Sequence, residues 1–260
     1  MLKLDKPLNK CRILVTNDDG INAPGLKVLE KIAKSLSKDV WVVAPEQNQS
    51  GSAHSLTLRN PLRLREVSKQ RYAVDGTPTD CVLLAVNHLL KDSPPDFVLS
   101  GVNRGANMAE DVTYSGTIAA AMEGTLLGLP SIALSQAIAW KHAPRWSSAE
   151  EHGPDVVRKL LAAGWPEGVL MNVNFPDAGA KSVQGLKLTR QGQRKISSAV
   201  QEGKDPYGQP YFWVGLIRTK ETPKGGTDLE AVADGFISIT PIRLDLTDKA
   251  TLTALKTALA

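Results

Sequence analysis

Two adjacent carboxylates, Asp18 and Asp19, sit inside the stretch RILVTNDDGINAPG (12–25), with Gly20 directly after them. The apolar residues Ile13, Leu14 and Val15 lead into them as a short strand would. Two carboxylates held this close repel each other unless a proton or a cation intervenes. Further polar residues follow other apolar runs: Glu46 to Ser52 and His54 after VWVVAP (40–45), and Asn103, Arg104, Gly105 and Asn107 after FVLSG (97–101). Carboxylates, amide carbonyls and hydroxyls together suit a hard cation such as Mg²⁺, Mn²⁺ or Ca²⁺. Such an ion polarises a phosphoryl oxygen and activates water. A local alternative is that the aspartates cap a helix or form an Asx turn. That serves Asp19 alone as well as function does, but the pair at the end of a buried strand points to function.

A second group points to phosphate. Ser115, Gly116 and Thr117 open the Ala-rich stretch SGTIAAAMEG (115–124). A helix N-terminus offers free N–H groups and positive dipole density, to which hydroxyls add donors. Taken alone, this is an ordinary Ser or Thr cap. In the loop GSAHS (51–55), His54 is open to three roles: general acid, phosphate contact or structural hydrogen-bonder.

These groups need elements that bring them to one rim. RILVT, VWVVAP, FVLSG, SIALS (131–135) and LMNVNFP (170–176) read as strands, nearly continuous in apolar residues as in a parallel sheet covered on both faces. Between them, 24–36, 77–90 and 115–128 have helical character, with Pro24 in a first turn and Thr77–Pro78 as cap and first helical residue. This alternation predicts an α/β fold: a doubly wound, mostly parallel, Rossmann-like sheet with C-terminal β-hairpin extensions. In such sheets ligands bind at the carboxyl ends of the strands, where all these polar groups fall. The chain reads as one domain over 1–260. Residues 11–178 form its core, and 180–246 a β-rich extension used in oligomerisation. Three adjacent aromatics in PYFWVG (210–215) would suit such an arm or simple packing on the core. The polar segment AWKHAPRWSSAEEHG (139–153) reads as a mobile connection into the next helix that could gate the site.

Composition narrows the function classes. No apolar run is long enough to span a membrane, and the N-terminus has no apolar core of a signal peptide. Cys11 and Cys81 have no metal-ligand spacing and fit a reduced, cytoplasmic protein. The net charge of +4 is spread without a basic block, which argues against a nucleic-acid polymer as partner. No P-loop, dinucleotide fingerprint, HExxH or GxSxG is present.

With these residues laid out, the chain resembles the SurE family of stationary-phase survival proteins. The resemblance rests on ILVTNDDGINAPG (13–25), VVAPEQNQSGSAHSLTL (42–58), GTPTDCV (76–82), VLSGVNRGANMAEDVTYSGTIAAAMEG (98–124) and GFISITPIRLDLT (235–247), in order. It implies a metal-dependent 5'-nucleotidase acting on nucleoside monophosphates, with 3'-nucleotides and short polyphosphate as further substrates. It implies one divalent ion per subunit, Mg²⁺ or Mn²⁺ with Ca²⁺ as a surrogate, held by Asp18, Asp19, Ser50 and Asn103. Asp18 or Asp19 would be the catalytic base, and Asn17, Gly51, Ser52, Ser115, Gly116 and Thr117 would line the phosphate pocket. It further implies a homodimer or homotetramer formed through the C-terminal extensions. Glu46 stands where the family commonly has aspartate. Two rivals fit less well. Phosphatases that form an aspartyl-phosphate separate their two aspartates by one residue, and here they are adjacent. Receiver modules need an acceptor aspartate after a middle strand, where this chain has Gly101 to Asn103.

Overall fold

The computed structural model describes residues 2–138, 143–194, 196–218 and 225–260. β1 (Arg12–Thr16) lies inside a nine-stranded sheet, parallel to β2 (Asp39–Pro45) on one side and to β5 (Phe97–Arg104) on the other. The order is β3 (Leu64–Ser68), β4 (Arg71–Val74), β2, β1, β5, β6 (Ser131–Gln136), β7 (Val169–Phe175), β11 (Ile237–Arg243) and β8 (Leu186–Leu188). The chain first winds outward from β1 to β2, then returns to build β5 on the opposite side. The strand order therefore reverses between β1 and β5, and a crevice opens at that point in open α/β sheets.

Both faces of the sheet are covered, which accounts for the unbroken apolar strands. Ile13 and Val15 join one core cluster with α1 (Pro24–Leu36), while Leu14, between them, joins a second cluster with α2 (Pro78–Leu84) and α3 (Gly116–Leu126). Phe97, Leu99 and Val98 divide in the same way on β5. Helix α1 buries Leu26, Val28, Leu29, Ile32, Ala33 and Leu36, a 3.6-residue stripe. The capping box at α2 is complete, with the Thr77 hydroxyl accepting from Asp80 N–H and the Asp80 carboxylate accepting from Thr77 N–H. The fold is the α/β architecture expected from the alternation of elements.

Several local expectations need correction. The β3–β4 hairpin has no sequence signature, because its turn carries a positive φ at Gln70 and not at a glycine or asparagine. The helix expected over 77–90 is α-helical only to Leu84 and continues as a widened turn over Ala85–Leu89. Within the expected β-rich extension the first strand, β8, is only three residues long. The segment read as a mobile connection is partly helix: α4 (Ser147–Ala163) buries Ser148, Ala149 and Gly153, and Trp146 packs on the core. Pro154 inside α4 breaks the helical signal in the sequence, while a Cβ at Gly153 would lie 2.5 Å from Ile32 of α1. The rest of that segment, 139–142, lies outside the described residues.

The C-terminal part divides in two. β11 runs antiparallel to β7 and carries Ile237 and Ile239 into the main core. β9 (Ile196–Lys204) and β10 (Pro210–Arg218) form a separate antiparallel ribbon with Trp213 opposite Gln201. α5 (Asp228–Ala233) precedes β11, and α6 (Lys249–Ala258) ends the chain with no buried residue. Among the described residues no helix is long and apolar enough to cross a membrane.

Candidate functional site

The reversal between β1 and β5 places Asn17, Asp18 and Asp19 beside Asn103. Asp18 is almost fully buried, and its Oδ1 accepts a hydrogen bond from the Thr117 hydroxyl in the first turn of α3. Burial pushes its pKa up to about 6. The Thr117 hydroxyl opposes that rise, and the neighbouring Asp19 charge adds to it. Asp19 is also raised, chiefly by burial, against the Arg104 N–H that donates to its Oδ2 at 3.1 Å. Each carboxylate is thus costly to ionise where it stands; the Arg104 charge eases that cost for Asp19, and no ion pair to Asp18 occurs among the described residues.

Glycines set the spacing. Gly20 turns the chain at φ +100° directly after the pair, and the Asn17 side-chain amide donates to its carbonyl at 3.0 Å. Gly116 lets α3 approach β1: a Cβ there would lie 2.7 Å from the Asp18 Cβ.

The remaining predicted residues separate by position. Asp18, Ser50, Gly51, Asn103 and Ser115 line one cavity of about 530 Å³, a volume suited to a small organic ligand. The loop bearing Ser50 is fixed at its root, where Gln49 N–H donates to the Asp18 carbonyl at 2.7 Å. Asn103 donates its amide N–H to the Gly105 carbonyl at 2.9 Å, which leaves its Oδ1 as an oxygen donor. Ser115 caps α3 by accepting from Ile118 N–H at 3.1 Å. Gly116 and Thr117 are buried behind Asp18, and the Thr117 hydroxyl is committed to that carboxylate. Asn17 and Ser52 do not line the cavity. Asn17 Oδ1 and Ser52 Oγ are buried without a hydrogen-bond partner among the described residues. His54 Nε2 lies 2.9 Å from Glu123 Oε2 on α3, so its ring ties the Ser50 loop to the helix that holds Asp18.

Several residues of the cavity wall escaped sequence reasoning. Met108, Asp111, Tyr114, Ile138 and Arg194 also line it. Arg194 pairs with Asp111, 83 positions away, and no local pattern announces such a contact. Asn172 and Asn174 support the wall from β7. Asn107 N–H donates to Asn174 Oδ1 at 2.8 Å, and both strand amides donate to the Asn107 carbonyl. They did leave a signal: two polar residues at i and i+2 in a strand buried along its whole length.

The fold and this rim define a doubly wound α/β protein with an oxygen-lined cavity at its switch point. The chain belongs to the SurE family, whose model, "Survival protein SurE", matches residues 13–198. It is 62% identical over 247 residues to "5'-nucleotidase SurE" of Paramagnetospirillum magneticum, covering 95% of each chain. It is 61% identical over 251 residues to the protein of that name in Parvibaculum lavamentivorans, covering 95% of this chain and 91% of that one. The solved SurE protein of Aquifex aeolicus superposes with a TM-score of 0.83 at 41% identity, covering 96% of this chain and all of that one.

Proposed function

We propose that this protein is a divalent-metal-dependent 5'-nucleotidase that hydrolyses nucleoside monophosphates to nucleoside and phosphate. The observation that carries the reading is Asp18: a buried carboxylate with no side-chain cation paired to it among the described residues, beside a second carboxylate and facing a cavity next to a helix N-terminus. Membership of a family whose curated relatives bear the name 5'-nucleotidase supports it.

The residues fit a hard cation. Among the described residues no group of three or more His, Cys, Asp or Glu could hold a metal, so neutral oxygens must complete the set. Asp18, Asp19, Ser50 and Asn103 offer two carboxylates, a hydroxyl and an amide carbonyl, all oxygen donors. Burial that disfavours both ionised carboxylates is relieved by a cation. The ion, Mg²⁺ or Mn²⁺, supplies charge neutralisation and Lewis-acid polarisation of the phosphoryl group when bound.

The protein's own groups do the rest. The Ser115 hydroxyl and the positive end of the α3 dipole hold the phosphate oxygens and stabilise the charge on them during displacement. Gly51 leaves room on the opposite loop, where a Cβ would meet nothing within 4 Å. Asp18 or Asp19 takes the proton of the attacking water, which forms the new P–O bond in line as the P–O5' bond breaks, and the leaving 5'-oxygen takes a proton from solvent to give the nucleoside. Thr117 fixes the orientation of Asp18 through its hydroxyl. The exposed β9–β10 ribbon is the surface we assign to self-association into a dimer or tetramer. The two free, buried cysteines suit a cytoplasmic setting.

The test is phosphate release from a panel of nucleoside 5'- and 3'-monophosphates and short polyphosphate, with Mg²⁺, with Mn²⁺ and with a chelator. Metal-dependent release from the 5'-nucleotides that is lost in Asp18→Asn supports the reading. Release that is indifferent to the chelator, or undiminished in Asp18→Asn, refutes it.

A further inference from the structure

Only part of the cavity is needed for a phosphate. Beyond Asp18, Ser50, Gly51 and Ser115, its lining continues over Asp111, Tyr114 and Arg194. Arg194 is held from two sides: its backbone N–H donates to both carboxylate oxygens of Glu110 at 3.1 Å, and its guanidinium pairs with Asp111. The pair is nearly buried, with 12% of the Arg194 side chain and 7% of Asp111 exposed. Its Nε is buried with no hydrogen-bond partner among the described residues. A buried guanidinium N–H without an acceptor is an uncommon expense in a folded protein.

On the nucleotidase reading above, we infer that Arg194 is a specificity-determining residue that binds the nucleoside part of the substrate, with Asp111 as its partner. Asp111 neutralises the guanidinium, so the pair has no net charge with which to draw in a second phosphate. The planar guanidinium, fixed by that pairing, offers N–H donors to the cavity, which suit the oxygens of ribose hydroxyls or the acceptor edge of a base. Tyr114, about half exposed on the same wall, adds an aromatic face beside the pair. Phosphomonoesters without a nucleoside have nothing for Arg194 to hold.

The experiment compares kcat/KM for a nucleoside 5'-monophosphate and for phenyl phosphate in the wild type, in Arg194→Lys, and in the double variant Asp111→Asn/Arg194→Gln. The double variant avoids leaving a buried charge unpaired. Inhibition by the free nucleoside and by inorganic phosphate is measured beside it. The double variant is expected to lose about tenfold in kcat/KM on the nucleotide, the change of one charge-assisted hydrogen bond, and to lose it through KM. Arg194→Lys falls between it and the wild type. Turnover of phenyl phosphate stays within about twofold, nucleoside inhibition weakens about tenfold and phosphate inhibition is unchanged. An equal fall on both substrates overturns the inference and makes the pair a structural support. No change on either, with the variants folded, overturns it too. A wild type that turns over phenyl phosphate but no nucleotide, or neither, overturns the nucleotidase reading itself and the inference with it.

Discussion

The rim between β1 and β5 and the β9–β10 ribbon are opposite solutions to placing residues. At the rim the acidic pair and the wall beside it are fixed by partners far away in sequence: Asp18 by Thr117, Asp19 by Arg104, and the Asn107 wall by Asn172 and Asn174. It stands on strands covered on both faces, so its geometry is set by the whole core. On the ribbon, Tyr211, Phe212, Trp213, Val214 and Val200 are exposed, and the strands are held by their own ladder. An isolated two-stranded ribbon is marginal in water, and apolar side chains on both faces of one need a partner. The difference teaches that the rim spends stability on geometry, whereas the ribbon keeps apolar surface in reserve for an encounter.

The strongest test of the rim is Asp18→Asn, which keeps the shape and removes the charge. Turnover should fall on the order of a thousandfold, while the metal-free protein should become more stable at pH 8. Burial raises the folded-state pKa of Asp18 from 3.8 to about 6. A carboxyl raised in this way favours the folded state fully below pH 3.8. That contribution is lost as pH rises through about 6, some 3 kcal/mol in order of magnitude. Chemical denaturation with chelator present, at pH 5 and pH 8, reads the result. A wild type and Asp18→Asn with the same pH dependence would show that Asp18 is not strained by its charge.

Gly116→Ala tests the spacing next. Its Cβ would lie 2.7 Å from the Asp18 Cβ and 3.2 Å from Pro78 Cγ, so backbone or carboxylate must move. A loss of about 1–3 kcal/mol in stability and about a hundredfold in turnover is expected, from denaturant melts and steady-state rates. Thr117→Val is milder. It deletes the hydroxyl that holds Asp18 and lowers its pKa, so the metal-free carboxyl should titrate higher still. Metal affinity should weaken about tenfold, read by calorimetry, with the larger loss toward acid pH, where the proton competes. Unchanged affinity would mean that the hydroxyl only fills space.

What was legible in the sequence follows the same division. The strands β1, β2, β5, β6 and β7 and the helix α1 announce themselves because burial on both faces, or a single apolar stripe, dictates their residue types. The acidic pair, Ser115 and the polar segments that hold Ser50 and Asn103 were legible as candidates because strand ends and a helix start are local signals; within those segments Ser50 and Asn103 were singled out only by the resemblance to the family. Arg194, Asp111 and Tyr114 were not, since their meeting at the cavity depends on how the segment before β9 packs against Glu110 and Asp111. β3 and β4 were missed because half-exposed, charged strands lack a period, and the start of α4 because Pro154 masks its stripe.

The smallest effect on chemistry should come from the ribbon. Trp213 is 70% exposed, sits opposite Gln201 and is not among the residues lining the cavity. Trp213→Ser removes apolar area that is mostly exposed in the subunit. The stability of the isolated subunit should change by no more than about 0.5 kcal/mol, and phosphate release per site should stay within about twofold. The variable that should move is mass: sedimentation over a range of concentrations should show Trp213→Ser, or the harsher Trp213→Glu, dissociating where the wild type stays associated. If turnover collapses in step with dissociation, the contrast between rim and ribbon breaks. The rim would then draw its shape from a second copy, with Arg194 at the root of β9 as the residue placed to transmit it.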